Sequence, residues 1–411
     1  MNGIQAADSV FLFISTVLVM IMTPGLALFY GGMVKSKNVL STTMHSYAAM
    51  AIVSIQWVLI GYSLAFGPDV KHIIGDFSWT ILKDVGFTPN ENYSATVPHN
   101  LFMMFQLMFA ILTPALISGA FAERMKFSAF LIFTLLWTTL VYDPLAHWVW
   151  GVDGWLRNLG ALDFAGGTVV HISSGVSGLV LALILGKRKD FGSTSPHHLP
   201  LTVLGAGLLW FGWFGFNVGS ALTLNDVALT AFINTNTAAA AASVGWVLIE
   251  WYVNKKPTIL GGVSGAVAGL VAITPACGFV TPLSSIIIGL LGGIICFLAV
   301  TYLKYKFGYD DALDAFGCHG IGGTWGAIAT GLFATKSVNS AGANGFFYGD
   351  TSLLWKQLIA IGATYVFAGV VTFLIVKVIG LFIQVRVDQE EENLGLDLAI
   401  HGEKAYHDAS I

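Results

Sequence analysis

Apolar stretches of roughly 20 residues recur from one end of the chain to the other, each long enough to cross ~30 Å of hydrocarbon. In lipid every backbone N–H and C=O must be satisfied within the protein, which leaves helices and closed barrels. These stretches are far longer than barrel strands. Composition agrees: of 411 residues 10% are charged and 55% are hydrophobic, against about 25% charge in a soluble globular protein. The 47 glycines suit helices that pack closely. The chain therefore reads as an all-α polytopic membrane protein with eleven transmembrane helices. They fall near 10–34, 42–66, 99–122, 127–150, 164–186, 199–220, 226–253, 258–275, 282–303, 314–334 and 353–385. The start, "MNGIQAADSV", lacks a basic n-region, so the first run is expected to span rather than be cleaved. Cys277, Cys296 and Cys318 are odd in number and sit in or beside apolar runs, which argues against a disulfide framework. No metal-ligand spacing appears, and no cofactor, enzymatic or nucleic-acid function is expected.

Lys and Arg set the expected orientation. The odd-numbered connections carry Lys35 and Lys37, Arg124 and Lys126, Lys187 to Lys189, Lys255 and Lys256, and Lys304 and Lys306. The even ones carry only Lys71, Lys83, Arg157 and Lys336. Odd connections are thus expected inside the cell, with the N-terminus outside. Residues 1–385 form the expected transmembrane domain and residues 386–411 a cytoplasmic tail. That tail, "VDQEEENLGLDLAIHGEKAYHDASI" after Arg386, is acidic at its start and carries Leu394, Leu396, Leu398 and Ile400 in an amphipathic-looking pattern. Such a composition also suits a disordered segment.

A repeat runs through the apolar segments. "DFAGGTVVH" (Asp163 to His171) and "DALDAFGCH" (Asp311 to His319) both place Asp first and His ninth. They fall in the fifth and tenth spans, which run in opposite directions. This is the pattern of an inverted five-plus-five repeat with one helix left over, and transporters place substrate sites at such interfaces near the midplane. Eight residues of helix rise ~12 Å. Entering from opposite faces of a ~30 Å core, His171 and His319 differ in depth by only ~6 Å and can meet. Ionisable groups in a membrane usually mark a pathway. Asp163, before "FAGG", reads instead as a helix cap accepting from first-turn amides.

The outer end gathers rings. The fourth span finishes "YDPLAHWVWG", with His147, Trp148 and Trp150; the third opens "FMMFQLMF", with Phe105 and Phe109. The sixth reads "LLWFGWFGFNVGS", with Phe214, Phe216 and Ser220. Interfacial aromatic belts are common, but they do not explain a hydroxyl at the last turn of so aromatic a run. Rings with one acceptor suit a small cation.

Several motifs in order resemble one family. "TPGLALFYGGMVKSKNVLS", "GAFAERMKFSAFLIF", "AHWVWG", "ALDFAGGTVVHISSG", "WFGFNVGS", "DALDAFGCHGIGGTWG" and "GLDLAIHGEKAY" look like the ammonium transporters (Amt/Mep/Rh), Amt branch, over nearly the whole chain. The resemblance implies a homotrimer in the cell membrane, with one pore through each eleven-helix subunit. It implies an ammonium recruitment site at Trp150, Phe109 and Ser220 with Phe105 nearby, a gate of Phe109 and Phe216, and pore histidines at His171 and His319. Tyr30, Trp213 and Tyr142 would line the pore or its mouth, and Asp163 would order the outer end of the fifth span. It also implies ammonium deprotonation, conduction of ammonia, net proton or charge movement, and a PII-family signal protein as cytoplasmic partner. A pure ammonium sensor is expected to carry an attached signalling domain, whereas about 25 residues follow Arg386. A neutral-gas channel needs no recruitment site.

Overall fold

A computed structural model of the chain describes residues 3–192 and 195–406. Eleven apolar helices form one bundle: α1 Ala6–Met33, α2 Ser36–Phe66, α3 His99–Phe121, α4 127–150, α5 Gly167–Leu185, α6 Leu199–Gly219, α7 Asp226–Asn254, α8 Ile259–Ile273, α9 Pro282–Phe307, α10 316–333 and α11 Ser352–Phe382. The chain is a multi-pass membrane protein whose N-terminus and C-terminal tail lie at opposite faces, called here the N-face and the tail face.

Hydropathy located every helix but misplaced several ends. The fifth begins at Gly167 rather than 164, and the tenth at 316 rather than 314, because acidic caps precede both. The eighth has only 15 residues, about 22 Å of helix. Its run of apolar residues continues into a non-helical turn at 274–279, and that turn is buried in protein, the only place membrane-depth loops are tolerated. The eleventh stops at Phe382 instead of 385, where the chain pairs with the loop before α4: Lys126 N donates to Val385 O and Val387 N to Arg124 O.

Wide π turns interrupt the helices at Trp57–Gly61, Thr138–Tyr142, Gly167–Ile172, Ala299–Leu303 and Phe316–Gly320. Four of these five match under the inverted repeat, α4 with α9 and α5 with α10. A π turn shifts the side-chain register and is frequent at functional sites. The first helices of the two halves, α1 and α6, touch backbone to backbone. A Cβ added at Gly205 would lie 2.2 Å from Phe29 N, so close association depends on the missing side chain.

At the N-face the α2–α3 connection folds back as a small hairpin, β1 Asp69–Val70 with β2 Ile74–Gly75. His147 and Trp148 hold it: His147 Nε2 lies 2.9 Å from Asp69 Oδ1, and Trp148 Nε1 donates to Ile73 O. At the tail face a buried ion cluster ties the loops together. Arg188 meets Asp310 at 2.8 Å and Glu123 at 2.7 Å, and Arg124 packs beside Asp310. Burial opposes the Arg188 charge, but Asp310 and Glu123 outweigh it and raise its pKa. Burial likewise acts to raise the Asp310 carboxyl, and the arginines hold it below the usual range.

The tail is fastened to this cluster through α12 Gln389–Leu394 and α13 Leu396–His401. Asp397 accepts from Leu40 N (3.0 Å) and Ser41 N (2.8 Å), capping the first turn of α2. Leu396 is fully buried, while Leu394 and Leu398 remain exposed. Residues 407–411 of the expected tail lie outside the described residues. Asp397→Ala should unfasten α13, since two amides lose their acceptor, each worth roughly 1–3 kcal/mol. Faster proteolysis after Arg386, with the bundle intact, is the expected result; wild-type protection would assign docking to Leu396 alone.

Candidate functional site

A cavity of about 210 Å³ opens at the N-face, lined by Gln106, Phe109, Trp150, Arg157, Phe164 and Ser220 among others. Its floor is Phe109 against Phe216, ring centroids 4.3 Å apart and both rings buried. Trp150 stands edge-on to Phe109 at 6.0 Å, and Phe105 backs Phe109 at 5.0 Å. Beneath Phe216 the His171 ring lies nearly parallel, 24° and 6.0 Å away, with Trp213 stacked on it at 5.4 Å. His319 follows at 5.3 Å and 23°. Below it a second cavity, about 250 Å³, opens toward the tail face, lined by Tyr30, Trp246, Glu250, Lys304, Asp314 and His319 among others. An unbroken column of rings thus joins two vestibules.

Local sequence explains why the column forms. Asp163 precedes α5 and saturates its first turn. Oδ1 accepts from Gly166 N (2.8 Å) and Gly167 N (2.6 Å), and Oδ2 from Thr168 N (2.8 Å), Val169 N (3.3 Å) and the Thr168 hydroxyl. Asp311 repeats the device before α10, accepting from Ala315 N (3.0 Å) and Phe316 N (2.7 Å). Each cap feeds a π turn that carries a histidine. The two helices then cross at Gly175 and Gly320, where a Cβ on Gly175 would fall 2.1 Å from Gly320 N. Only glycine lets the backbones come this close, and the histidine rings meet as a consequence.

The two Nδ1 atoms are 3.3 Å apart, so one carries the shared hydrogen and the other accepts it. His171 Nε2 has no hydrogen-bond partner among the described residues. At the N-face vestibule, Ser220 Oγ donates to Phe216 O at 2.8 Å. Its one proton is thereby used, which leaves its lone pairs to accept from a ligand. Trp150 Nε1 donates to Asp163 O at 3.0 Å, so the α5 cap also sets the angle of the mouth ring. Trp213 is fixed by its Nε1 donating to Thr274 Oγ1 at 2.9 Å.

Not every residue singled out in the sequence reaches the column. Tyr30 lines the tail-face vestibule, its hydroxyl donating to Leu116 O at 3.1 Å. Tyr142 borders neither cavity and packs 6.2 Å from Trp57. Phe214 faces the other way, against Phe232, while His147 and Trp148 serve the hairpin. Two vestibule residues went unnoticed: Gln106, an amide inside the apolar "FMMFQLMF", and Glu250, a carboxylate inside α7. Each is a polar group in an apolar span, and that alone was signal enough. Among the described residues no group of three His, Cys, Asp or Glu is placed to hold a metal ion.

Known proteins resemble this chain over nearly its whole length. The sequence profile of the Ammonium Transporter Family matches residues 10–406. A Bacillus subtilis protein named ammonium transporter is 69% identical over 405 residues, covering 98% of this chain and 100% of that one. The crystal structure of Saccharomyces cerevisiae Mep2 superposes with a TM-score of 0.89 at 37% identity, covering 95% of this chain and 90% of that one. A structure titled Sensor Amt Protein superposes equally well, TM-score 0.89, at 29% identity, covering 96% and 98%. With a family profile spanning nearly its whole length and a relative identical at two positions in three, the chain belongs to the ammonium transporter family.

Proposed function

We propose that the chain recruits ammonium at the N-face vestibule, strips its proton near the Phe109–Phe216 gate, and passes ammonia along His171 and His319. The observation that carries this reading is the closed ring column between two open vestibules. Moving an intact cation into a dry, low-dielectric passage costs on the order of 20 kcal/mol in the idealised limit. A cation–π contact returns about 2 kcal/mol, and the column supplies few of them. An amine acid of pKa about 9–10 loses its proton near neutrality for about 3–4 kcal/mol. Deprotonation is the cheaper route, and potassium has no such route. Selectivity then follows from acidity rather than size.

The basic odd-numbered connections make the tail face cytoplasmic and the N-face external, in the cell membrane. Three copies assemble, each with its own pore. The docked tail, residues 386–411, regulates transport and helps seat a PII-type signal protein over the pore exits; its fastening by Asp397 supports that reading. Deleting Gly395 to Ile411 is then expected to leave a stable assembly in detergent while lowering transport and weakening PII block.

Net proton movement through the histidine pair makes transport electrogenic. The deciding experiment is current across a bilayer containing the purified protein, with ammonium, with potassium, and with neither. Ammonium-dependent current supports the reading. Absent current with intact ammonium binding would assign the protein to sensing, and ammonia flux without current to neutral conduction. Trp150→Leu removes the ring at the mouth and should raise the external half-saturation concentration up to about thirtyfold, the equivalent of about 2 kcal/mol. An unchanged concentration dependence would leave Trp150 as an interfacial ring.

A further inference from the structure

We infer that the tail-face vestibule holds a second binding site for a small N–H-bearing cation, formed by Glu250 and Trp246. It rests on the transport reading above and adds where ammonia leaving His319 takes back the proton carried along the histidine pair and re-forms the cation. Both residues lie on α7, one turn apart and so on one face, and both line the cavity whose roof is His319. Trp246 packs edge-on to Phe297 at 5.8 Å, which fixes its ring.

Acceptor counting singles out Glu250. A carboxylate offers about four lone-pair sites. Asp163 fills its own with five donors, and it does not border either vestibule. Asp314, on the wall of the same cavity, is matched by Lys304 at 2.6 Å. Glu250 takes only two donors, Thr258 N on Oε2 (3.0 Å) and Thr258 Oγ1 on Oε1 (2.9 Å). Both are neutral, and among the described residues no basic side chain pairs with it. A buried carboxylate without a counter-ion among the described residues, with lone pairs spare and an indole ring one turn away on the same cavity wall, is matched by a compact cation that donates several hydrogen bonds. Ammonium and methylammonium have that chemistry, and potassium lacks the donors. The N-face vestibule carries Arg157 in place of a carboxylate, so the two mouths differ in sign, and release into the cell passes a site that the outer mouth does not have.

The test uses the full chain in right-side-out vesicles, with methylammonium flux read against ammonium added inside or outside. Glu250→Gln keeps one acceptor for Thr258 and removes the charge. It is expected to raise the internal ammonium concentration that half-inhibits inward flux at least tenfold, or about 1.4 kcal/mol. The external half-saturation concentration should move less than twofold. Trp246→Leu should act in the same direction and decides the matter should Glu250→Gln fail to yield a monodisperse protein. Equal shifts on both sides, or no internal shift in a well-folded variant, overturns the site. Trp150→Leu run in parallel separates the two ideas: if it shifts the external dependence while the α7 variants shift nothing, only the second site fails.

Discussion

His171→Ala is expected to remove most of the ammonium-driven current, at least tenfold, and His319→Ala to do the same. Each ring is both a wall and a polar contact. The His171 ring is stacked on three sides, by Phe216, Trp213 and His319, so its loss breaks the column in the middle. One Nδ1 would also be left without its partner at 3.3 Å, and a buried polar atom stranded in this way costs roughly 1–3 kcal/mol. The space left by an imidazole is large enough to admit water. A wetted passage lowers the cost of an intact cation, so whatever current survives should discriminate less against potassium. The two substitutions act on one hydrogen bond, and the double variant should therefore lose less than the two single losses together. Bilayer currents in ammonium and in potassium measure all three quantities. Wild-type current and wild-type selectivity in both single variants would reduce the pair to bundle core.

The histidine pair was the most legible part of the site, because its signal is long-range and exact in register. Asp and His recur eight positions apart in two spans of opposite direction, and no local pattern competes with that. Hydropathy found the eleven helices for an equally simple reason, since lipid forces each span to be apolar over its whole length. The same uniformity hid the rest. The five π turns leave no trace in an evenly apolar run, so the side-chain register beyond each of them could not be placed. The shortness of α8 was masked because the buried turn after Ile273 is as oily as the helix before it. The pattern of the tail gave a face for α13 but not its partner: the capping of α2 by Asp397 joins positions some 357 residues apart, and nothing local records it. Tyr142 is assigned to the pore or its mouth by resemblance alone, and its ring packs 6.2 Å from that of Trp57.

Asp163→Ala should cost folding before it costs chemistry. The carboxylate accepts four backbone amides and one hydroxyl at the start of α5, all of them buried, where stranded donors have no water to turn to. Hydrogen bonds to a charged group are worth roughly 1.5–3 kcal/mol each, and stranded donors are costlier to leave than to pair. Even with heavy discounting for shared acceptors, a loss of about 4 kcal/mol or more is expected, a large fraction of a typical stability. The repeat supplies an internal control. Asp311 performs the same task before α10 with two amides, so Asp311→Ala should lose less than half as much. Folded yield on size exclusion and the midpoint of thermal unfolding in detergent rank the two variants. The surviving Asp163→Ala protein should also show altered ammonium capture, because the backbone oxygen that orients the Trp150 ring belongs to the same residue. An abundant, thermally normal Asp163→Ala protein with no transport would reverse the assignment and make the carboxylate a direct contact of the cation. In that case the five donors crowding it would have to release it during the transport cycle, and the π turn carrying His171 would be the element that moves.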